Sequence, residues 1–317
     1  MILLARQPSE TKKMLEALLY RLPATHRDYM YYEEQLRRIQ AGFAGEQRVD
    51  AEWLEIDLPF PHYFLHDLQV TNRFGTSHQI DTILLCPHFI LLLEIKNIAG
   101  MLKLDKEFAQ FTRTTIDGQL DGMTNPFYQV RRHQEWLTWE LQQVHMTIPV
   151  HHAVVMATKK AILSNGLSDQ AIFHVAGLRY YVRKLLQQYP NVMLDEKELA
   201  QLAQQLLAKH RPFQRKLSLP LQDIQKGVLC PQCSNGQQMD YHYKKWVCRR
   251  CGLIDANALL RTLEDYRLLM GEMLTNQSFC TFFAIDSPNI AYKLLKKLPL
   301  QAVGEKRHRQ YWIMEPT

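Results

Sequence analysis

Long apolar runs are missing from this chain of 317 residues. Crossing a bilayer takes about 20 consecutive apolar residues. The main candidate, Phe89-Ile90-Leu91-Leu92-Leu93, is only the size of a strand. The opening Met1-Ile2-Leu3-Leu4-Ala5 stops at Arg6, Gln7 and Pro8, too soon for the core of a secretion signal. These absences argue against a membrane or exported protein, and the expected location is cytoplasmic. Internal repeats are also missing, and the glutamine cluster at 201–205 is too short to count as low complexity. Charge of one sign is in small excess, with a net +6 that matters only where it is concentrated in a patch. Cysteines are few. Cys86 and Cys280 stand alone, and the other four form two C-x-x-C pairs, which in a cytosolic chain favours metal binding over disulfides. The length suits two or three domains.

What is present has a readable order. Residues 9–22 have helical spacing, and a second helix is expected over 29–54 with Gly42 and Gly45 inside it. Glycine within a helix costs about 1 kcal/mol relative to alanine. The two glycines therefore mark either close helix packing or a close approach to a strand or substrate. The period then changes to that of strands at 63–70, 79–85 and 89–96, with turns at 71–77 and 86–88. Residues 111–116 are a candidate fourth strand, closed by Asp117-Gly118. Asn125-Pro126 opens a helix over 127–144, and 151–157 is a further strand. Residues 178–211 read as helical, 213–227 as a linker, and 257–317 as helix closing with a short strand.

Chemistry concentrates in the strands. Residues i and i+2 of a strand share a face, so Glu94 and Lys96 project together while Ile95 points inward. Asp81 on the preceding strand can reach the same face. An E-x-K triplet alone is usually a solvated pair. Here it ends a near-continuous apolar strand of the kind buried on both faces, where ionised groups are costly unless paired or bound to metal. Asp81 and Glu94 together would hold a hard divalent cation, Mg²⁺ or Mn²⁺, which prefers oxygen ligands. Lys96 would orient or help deprotonate a water, or neutralise charge building on a phosphate.

Glu46 after Gly45, Gln79-Ile80-Asp81, Leu93-Glu94-Ile95-Lys96-Asn97 with Gly100, and Asn125-Pro126-x-x-Gln129 occur in an order and spacing that resembles the NERD (nuclease-related) domain. That family is similar to the PD-(D/E)xK nucleases. The resemblance covers roughly residues 38–158 and implies a restriction-endonuclease-like fold with Mg²⁺-dependent DNA cleavage. It also implies Asp81 and Glu94 as metal ligands, Lys96 as the catalytic lysine, Glu46 as a helix carboxylate facing the site and Gln129 as a polar residue lining it. On physics alone, Glu46 could equally be a solvent-facing helix charge and Gln129 a hydrogen bond at a helix start. Arg131, Arg132 and His133 follow Gln129 and could contact phosphates, although a solvated helix face is the more frequent outcome, and His133 is not favoured as a general base because Lys96 already fits that role.

Cys230-x-x-Cys233 and Cys248-x-x-Cys251 are separated by 14 residues. This is close to the spacing of a structural zinc site, which leaves no open coordination position. The module resembles a zinc ribbon, with a redox dithiol as the minor alternative. Gly252 suits the positive φ that such turns need, and 241–247 reads as a strand. Lys244, Lys245, Arg249 and Arg250 alternate with Tyr241, Tyr243 and Trp246. That pattern suits either nucleic-acid contact or a small domain that packs its aromatics and solvates its charges. A helix over 290–298 followed by a basic hairpin with Lys306, Arg307 and Arg309 loosely resembles a winged or helix-turn-helix module, the alternative being a basic helical cap.

The expected fold class is α/β, a restriction-endonuclease-like mixed sheet flanked by helices, with a small zinc ribbon and a C-terminal α+β basic module. The expected divisions are 1–37, 38–158, 159–225, 226–256 and 257–317. The expected function is Mg²⁺-dependent DNA hydrolysis, with RNA as a second substrate class and a homodimer as a further expectation. The alternative is a nuclease-fold scaffold, weak in catalysis, that binds nucleic acid or protein through ribbon and tail.

Overall fold

The computed structural model of the chain describes residues 1–164, 167, 170–212, 220–233, 236–305 and 309–314. In chain order run β1 (Ile2–Leu4), α1 (Glu10–Arg21), α2 (Tyr29–Trp53), β2 (Tyr63–Thr71), β3 (Ser77–Leu85), β4 (Ile90–Lys96), β5 (Gly100–Asp105), β6 (Gln110–Thr114) and β7 (Leu120–Met123). Next come α3 (Pro126–Gln143), β8 (Val150–Met156), β9 (Ala161–Leu163), β10 (Ile172–His174), α4 (Leu178–Gln188) and α5 (Glu196–Ala208). The chain ends with β11 (Asp240–His242), β12 (Lys245–Val247), β13 (Ile254–Asp255), α6 (Ala258–Met270), β14 (Met273–Thr275), α7 (Asn276–Phe283), α8 (Pro288–Leu295), β15 (Leu300–Val303) and β16 (Gln310–Ile313). Two compact units form, Met1–Gln7 with Gln40–Phe213 and Pro8–Ile39 with Gln214–Thr317.

The first unit is built on a mixed sheet in the order β1-β2-β3-β4-β8-β10. β2, β3 and β4 are antiparallel, while β1 beside β2, and β8 between β4 and β10, run parallel. Ile90 and Leu92 of β4 pack with residues of α3 and α5. Leu91, Leu93 and Ile95 pack on the other face with Val49 and Trp53 of α2 and with Leu178, Val182 and Leu185 of α4. Helices therefore cover both faces, which is why β4 is apolar at successive positions. Asn125 caps α3 by accepting from the Phe127 N–H, with Pro126 in the first turn.

A second sheet, β7-β6-β5-β9, stands where the sequence suggested one strand at 111–116. Its strands are short and partly exposed, so their apolar signal is weak. The helical region read over 178–211 is broken. Pro190 lies between α4 and α5, and Asp195 restarts the helix with a capping box.

In the second unit, Leu15, Leu18 and Leu22 share a core with α6, α7 and α8. Arg21 is buried there and donates to Asp265 at 2.7 Å and to the Gly227 carbonyl at 3.1 Å. Residues 241–247, expected as one strand, form a hairpin. β11 and β12 pair through Tyr241–Trp246, and the turn residues Tyr243 and Lys244 have φ of 46° and 65°. The closing stretch holds the antiparallel sheet β14-β16-β15 rather than a single strand. No helix among the described residues is long and apolar enough to cross a membrane.

Candidate active site

The β2–β3 hairpin pairs His66 with Thr82 and Leu68 with Ile80, which sets Asp67 opposite Asp81. Asp67 has φ 51°, a left-handed conformation that aspartate tolerates better than most residues. Two carboxylates opposite one another on adjacent strands repel. Glu46 of α2 adds a third, and one carboxylate oxygen from each of Glu46, Asp67 and Asp81 lies within 4.8 Å of the other two.

Each of these carboxylates is tied by one oxygen. Glu46 Oε2 accepts from Arg6 Nη1 at 3.1 Å. Asp67 Oδ1 accepts from Arg6 Nη1 at 2.6 Å and from Gln79 Nε2 at 2.9 Å. Asp81 Oδ2 accepts from the Ile95 N–H at 2.7 Å. The second oxygens, Glu46 Oε1, Asp67 Oδ2 and Asp81 Oδ1, take no hydrogen bond among the described residues. Arg6 arrives through β1, its side chain only 4% exposed. It donates further to Asp50 at 2.7 Å, the Asp81 carbonyl at 2.9 Å and Thr82 Oγ1 at 3.0 Å. Only a guanidinium has enough donors, in a fixed fork, for this set.

The crowding shows in the proton affinities. Burial, then the Asp81 charge, pushes Glu46 up to about 7. Burial pushes Asp67 up to about 7 against the opposing pull of Arg6. Burial and Glu94 hold Asp81 well above the usual carboxylate range. Three hard oxygen donors without a hydrogen bond among the described residues, on crowded carboxylates, are a donor set that fits a divalent cation of the Mg²⁺ class.

Glu94 lies outside that group. Its Oε1 accepts from Lys96 Nζ at 2.5 Å, and Lys96 also donates to Gln129 Oε1 at 3.2 Å. Glu94 Oε2 lies 3.5 Å from His133 Nε2. Gln129 and His133 are one helical turn apart on α3, so this helix faces Lys96 and Glu94 together. Arg131 and Arg132 are exposed, but His133 is fully buried, unlike a solvated helix face. Burial, then Arg132 and Lys96, pushes the His133 imidazole down to about 3, so it is neutral, and it stacks on His78 at 4.9 Å. A Cβ at Gly45 would come within 2.6 Å of Asn97 Cβ, so α2 presses on the end of β4, whereas Gly42 faces open space.

The structure thus brings Glu46 to Asp81 and brings Glu94, Lys96 and Gln129 into one hydrogen-bonded chain. Sequence reasoning missed Asp67 and Arg6. The hairpin centred on Phe74 carried the signal for Asp67, because its flanking pairs His66–Thr82 and Leu68–Ile80 set position 67 opposite Asp81. Nothing in the local sequence marks Arg6, which acts across 75 residues.

In the second unit the four cysteine sulfurs of Cys230, Cys233, Cys248 and Cys251 form a group that could hold a metal ion. Cys230 and Cys251 Sγ are 3.6 Å apart, and Cys233 and Cys248 Sγ 3.7 Å. A tetrahedron with Zn–S bonds of about 2.3 Å sets its sulfurs about 3.8 Å apart. Gly252 has φ 76° and donates its N–H to the Cys248 carbonyl. Lys244, Lys245 and Arg250 are exposed, while Arg249 pairs with Asp240. Arg309 lies beside Tyr292 and Tyr311. Lys306 and Arg307 fall outside the described residues.

Among proteins of known sequence, the chain is 29% identical over 102 residues to an uncharacterized protein of Bacillus anthracis, an alignment covering 32% of this chain and 47% of that one. The chain thus spans about half the length of that relative. No solved structure matches it. Residues 41–157, which carry Glu46, Asp67, Asp81, Glu94, Lys96, Gln129 and His133, match the model of NERD, the nuclease-related domain.

Proposed function

We propose that the chain is a divalent-metal-dependent nuclease that hydrolyses phosphodiester bonds of DNA, as an endonuclease or nickase. One observation carries the reading: three carboxylates each spend one oxygen on a fixed donor and present the other, on the same domain as a lysine held by Glu94 and Gln129. Glu46, Asp67 and Asp81 would hold Mg²⁺ or Mn²⁺, so Asp81 keeps the ligand role expected from the sequence. Bound there, the ion would supply Lewis-acid polarisation of a phosphate and a lowered pKa for a water.

Glu94 serves Lys96 in this reading. One of its oxygens fixes the ammonium, and the other, Oε2, is buried without a hydrogen-bond partner among the described residues, 3.5 Å from His133 Nε2. Burial draws the Lys96 proton affinity down, but the Glu94 and Asp81 charges outweigh it, so the group stays cationic. That charge stabilises negative charge growing on the phosphate oxygens, and Gln129 aims it. The four cysteines would hold a structural Zn²⁺ with no open position. Lys244, Lys245, Arg249, Arg250, Lys306, Arg307 and Arg309 are the proposed phosphate contacts.

The test is supercoiled plasmid with Mg²⁺ or Mn²⁺, comparing the native chain with Lys96→Ala. The expected result is nicking or linearisation that falls by about 100-fold or more in the variant. Cleavage that survives the substitution sinks the mechanism. Tight DNA binding without cleavage by the native chain favours a scaffold instead.

A further inference from the structure

α6, β14, α7, α8, β15 and β16 follow one another along the chain, and β16 lies between β14 and β15 in their sheet. α7 and α8 are joined by residues 284–287. Ala284 ends α7 in the left-handed region at φ 51°, and Ser287 caps α8 by accepting from the Ile290 N–H, with Pro288 in the first turn. Two helices joined by a turn of this length have the connectivity that a helix-turn-helix shares with an αα-hairpin, here followed by a β-hairpin.

α8 has two unlike faces. Ala291, Leu294 and Leu295 are buried, as is Leu298 just beyond. Asn289, Tyr292, Lys293 and Lys296 are exposed, at spacings of three and four that form one stripe. Between Ser287 and Gly304 there are three lysines and no acidic residue. None of these lysines makes an ion pair among the described residues, and Lys296 Nζ instead sits 4.6 Å over the Tyr292 ring. A solvated helix face commonly interleaves both signs of charge; this one offers cations alone.

We propose that α8 is a recognition helix for duplex DNA, with Asn289 in its first turn facing base edges and Lys293 and Lys296 contacting phosphates. In helix-turn-helix proteins the second helix enters the major groove with its N-terminal residues toward the bases. The asparagine amide is suited to adenine, and lysine to phosphate. A helix with its side chains is about 10–12 Å across, which a major groove about 12 Å wide admits. Single strands call for a bare aromatic platform, and the one aromatic of this stripe is covered by Lys296. Binding by α8 does not require cleavage, so it stands or falls apart from the nuclease reading.

The test is fluorescence anisotropy with a labelled duplex of roughly 20 base pairs and the matching single strand. The protein is the full chain carrying Lys96→Ala, without added Mg²⁺, so that no cleavage intervenes. Lys293→Ala with Lys296→Ala should weaken duplex binding about 10–100-fold and reduce the salt slope by about 2. Asn289→Ala should leave the salt slope alone and narrow the difference between duplex sequences. Both lysines are exposed and make no ion pair among the described residues, so unchanged circular dichroism is expected. Three results each overturn the proposal: unchanged affinity and slope in the double variant, no duplex binding by the parent at low salt, or tighter binding of single-stranded DNA or RNA than of duplex. Absence of plasmid cleavage by the native chain would leave it standing.

Discussion

The carboxylate group and the four cysteines both crowd like ionisable groups together, but they reach that state by opposite routes. The cysteines come from one short segment whose two C-x-x-C turns bring their own sulfurs together. Arg6, Glu46, Asp67, Asp81 and Ile95 come from the N-terminal segment, a helix and three strands, and Arg6 acts on Asp81 from 75 residues away. A site built by turns would need its ion to fold, whereas a site built by a sheet needs its fold to collect the charges. Conditions that dismantle one should therefore leave the other standing.

The largest expected effect is at the cysteines. Metal analysis of the purified chain should find about one tightly held zinc, and Cys248→Ser should abolish it. Because such binding contributes apparent folding energy of about 10–16 kcal/mol, amide exchange across β11–β13 should become fast in that variant. The melting of the carboxylate-bearing unit should stay put. Full zinc content in Cys248→Ser would break the comparison.

Next is Arg6→Ala. It strands Glu46, Asp50 and Asp67 without their buried cation, and removing one partner of a buried pair costs about 3–5 kcal/mol. Urea unfolding should shift accordingly, and added Mn²⁺ should restore part of the loss by supplying positive charge. A variant as stable as the native chain would show that the carboxylates do not depend on Arg6.

Asp67→Gly is the finer probe. Glycine adopts the positive φ at this position without strain, so the sheet should persist while one oxygen ligand disappears. Loss of even an outer partner of a metal site costs roughly 10–100-fold in affinity, and Mn²⁺ titration should show at least that. Unchanged Mn²⁺ affinity would remove Asp67 from the site.

The smallest pair concerns α2. Gly45→Ala should destabilise by about 1–3 kcal/mol through overpacking against Asn97. Gly42→Ala, with open space around it, should stabilise by up to about 1 kcal/mol. Equal melting shifts for the two would contradict the close contact between α2 and β4.

Much of the carboxylate unit was legible because its signals are local. The apolar run into Glu94 marks a strand covered on both faces, and Asn125-Pro126 marks a helix start. The β5–β7 strands were not legible, because a half-exposed sheet of short strands carries little periodicity. The β11–β12 hairpin looks like one strand in the sequence because its turn, Tyr243-Lys244, lacks the glycine or asparagine that usually marks such turns. His133 looked like part of a charged helix face beside Arg131 and Arg132, and only packing against β4 turned it inward.

The amino-acid sequence by itself determined the cysteine group, the strand-borne Glu94 and Lys96, and the helix that presents Gln129, because each depends on spacings of a few residues. Tertiary structure alone decided that Asp67 opposes Asp81, that Arg6 ties Glu46 to Asp67, and that residues 8–39 share a core with 214–317. Those arrangements depend on strand register and chain crossover, which set long-range neighbours and leave no periodic trace in the local sequence.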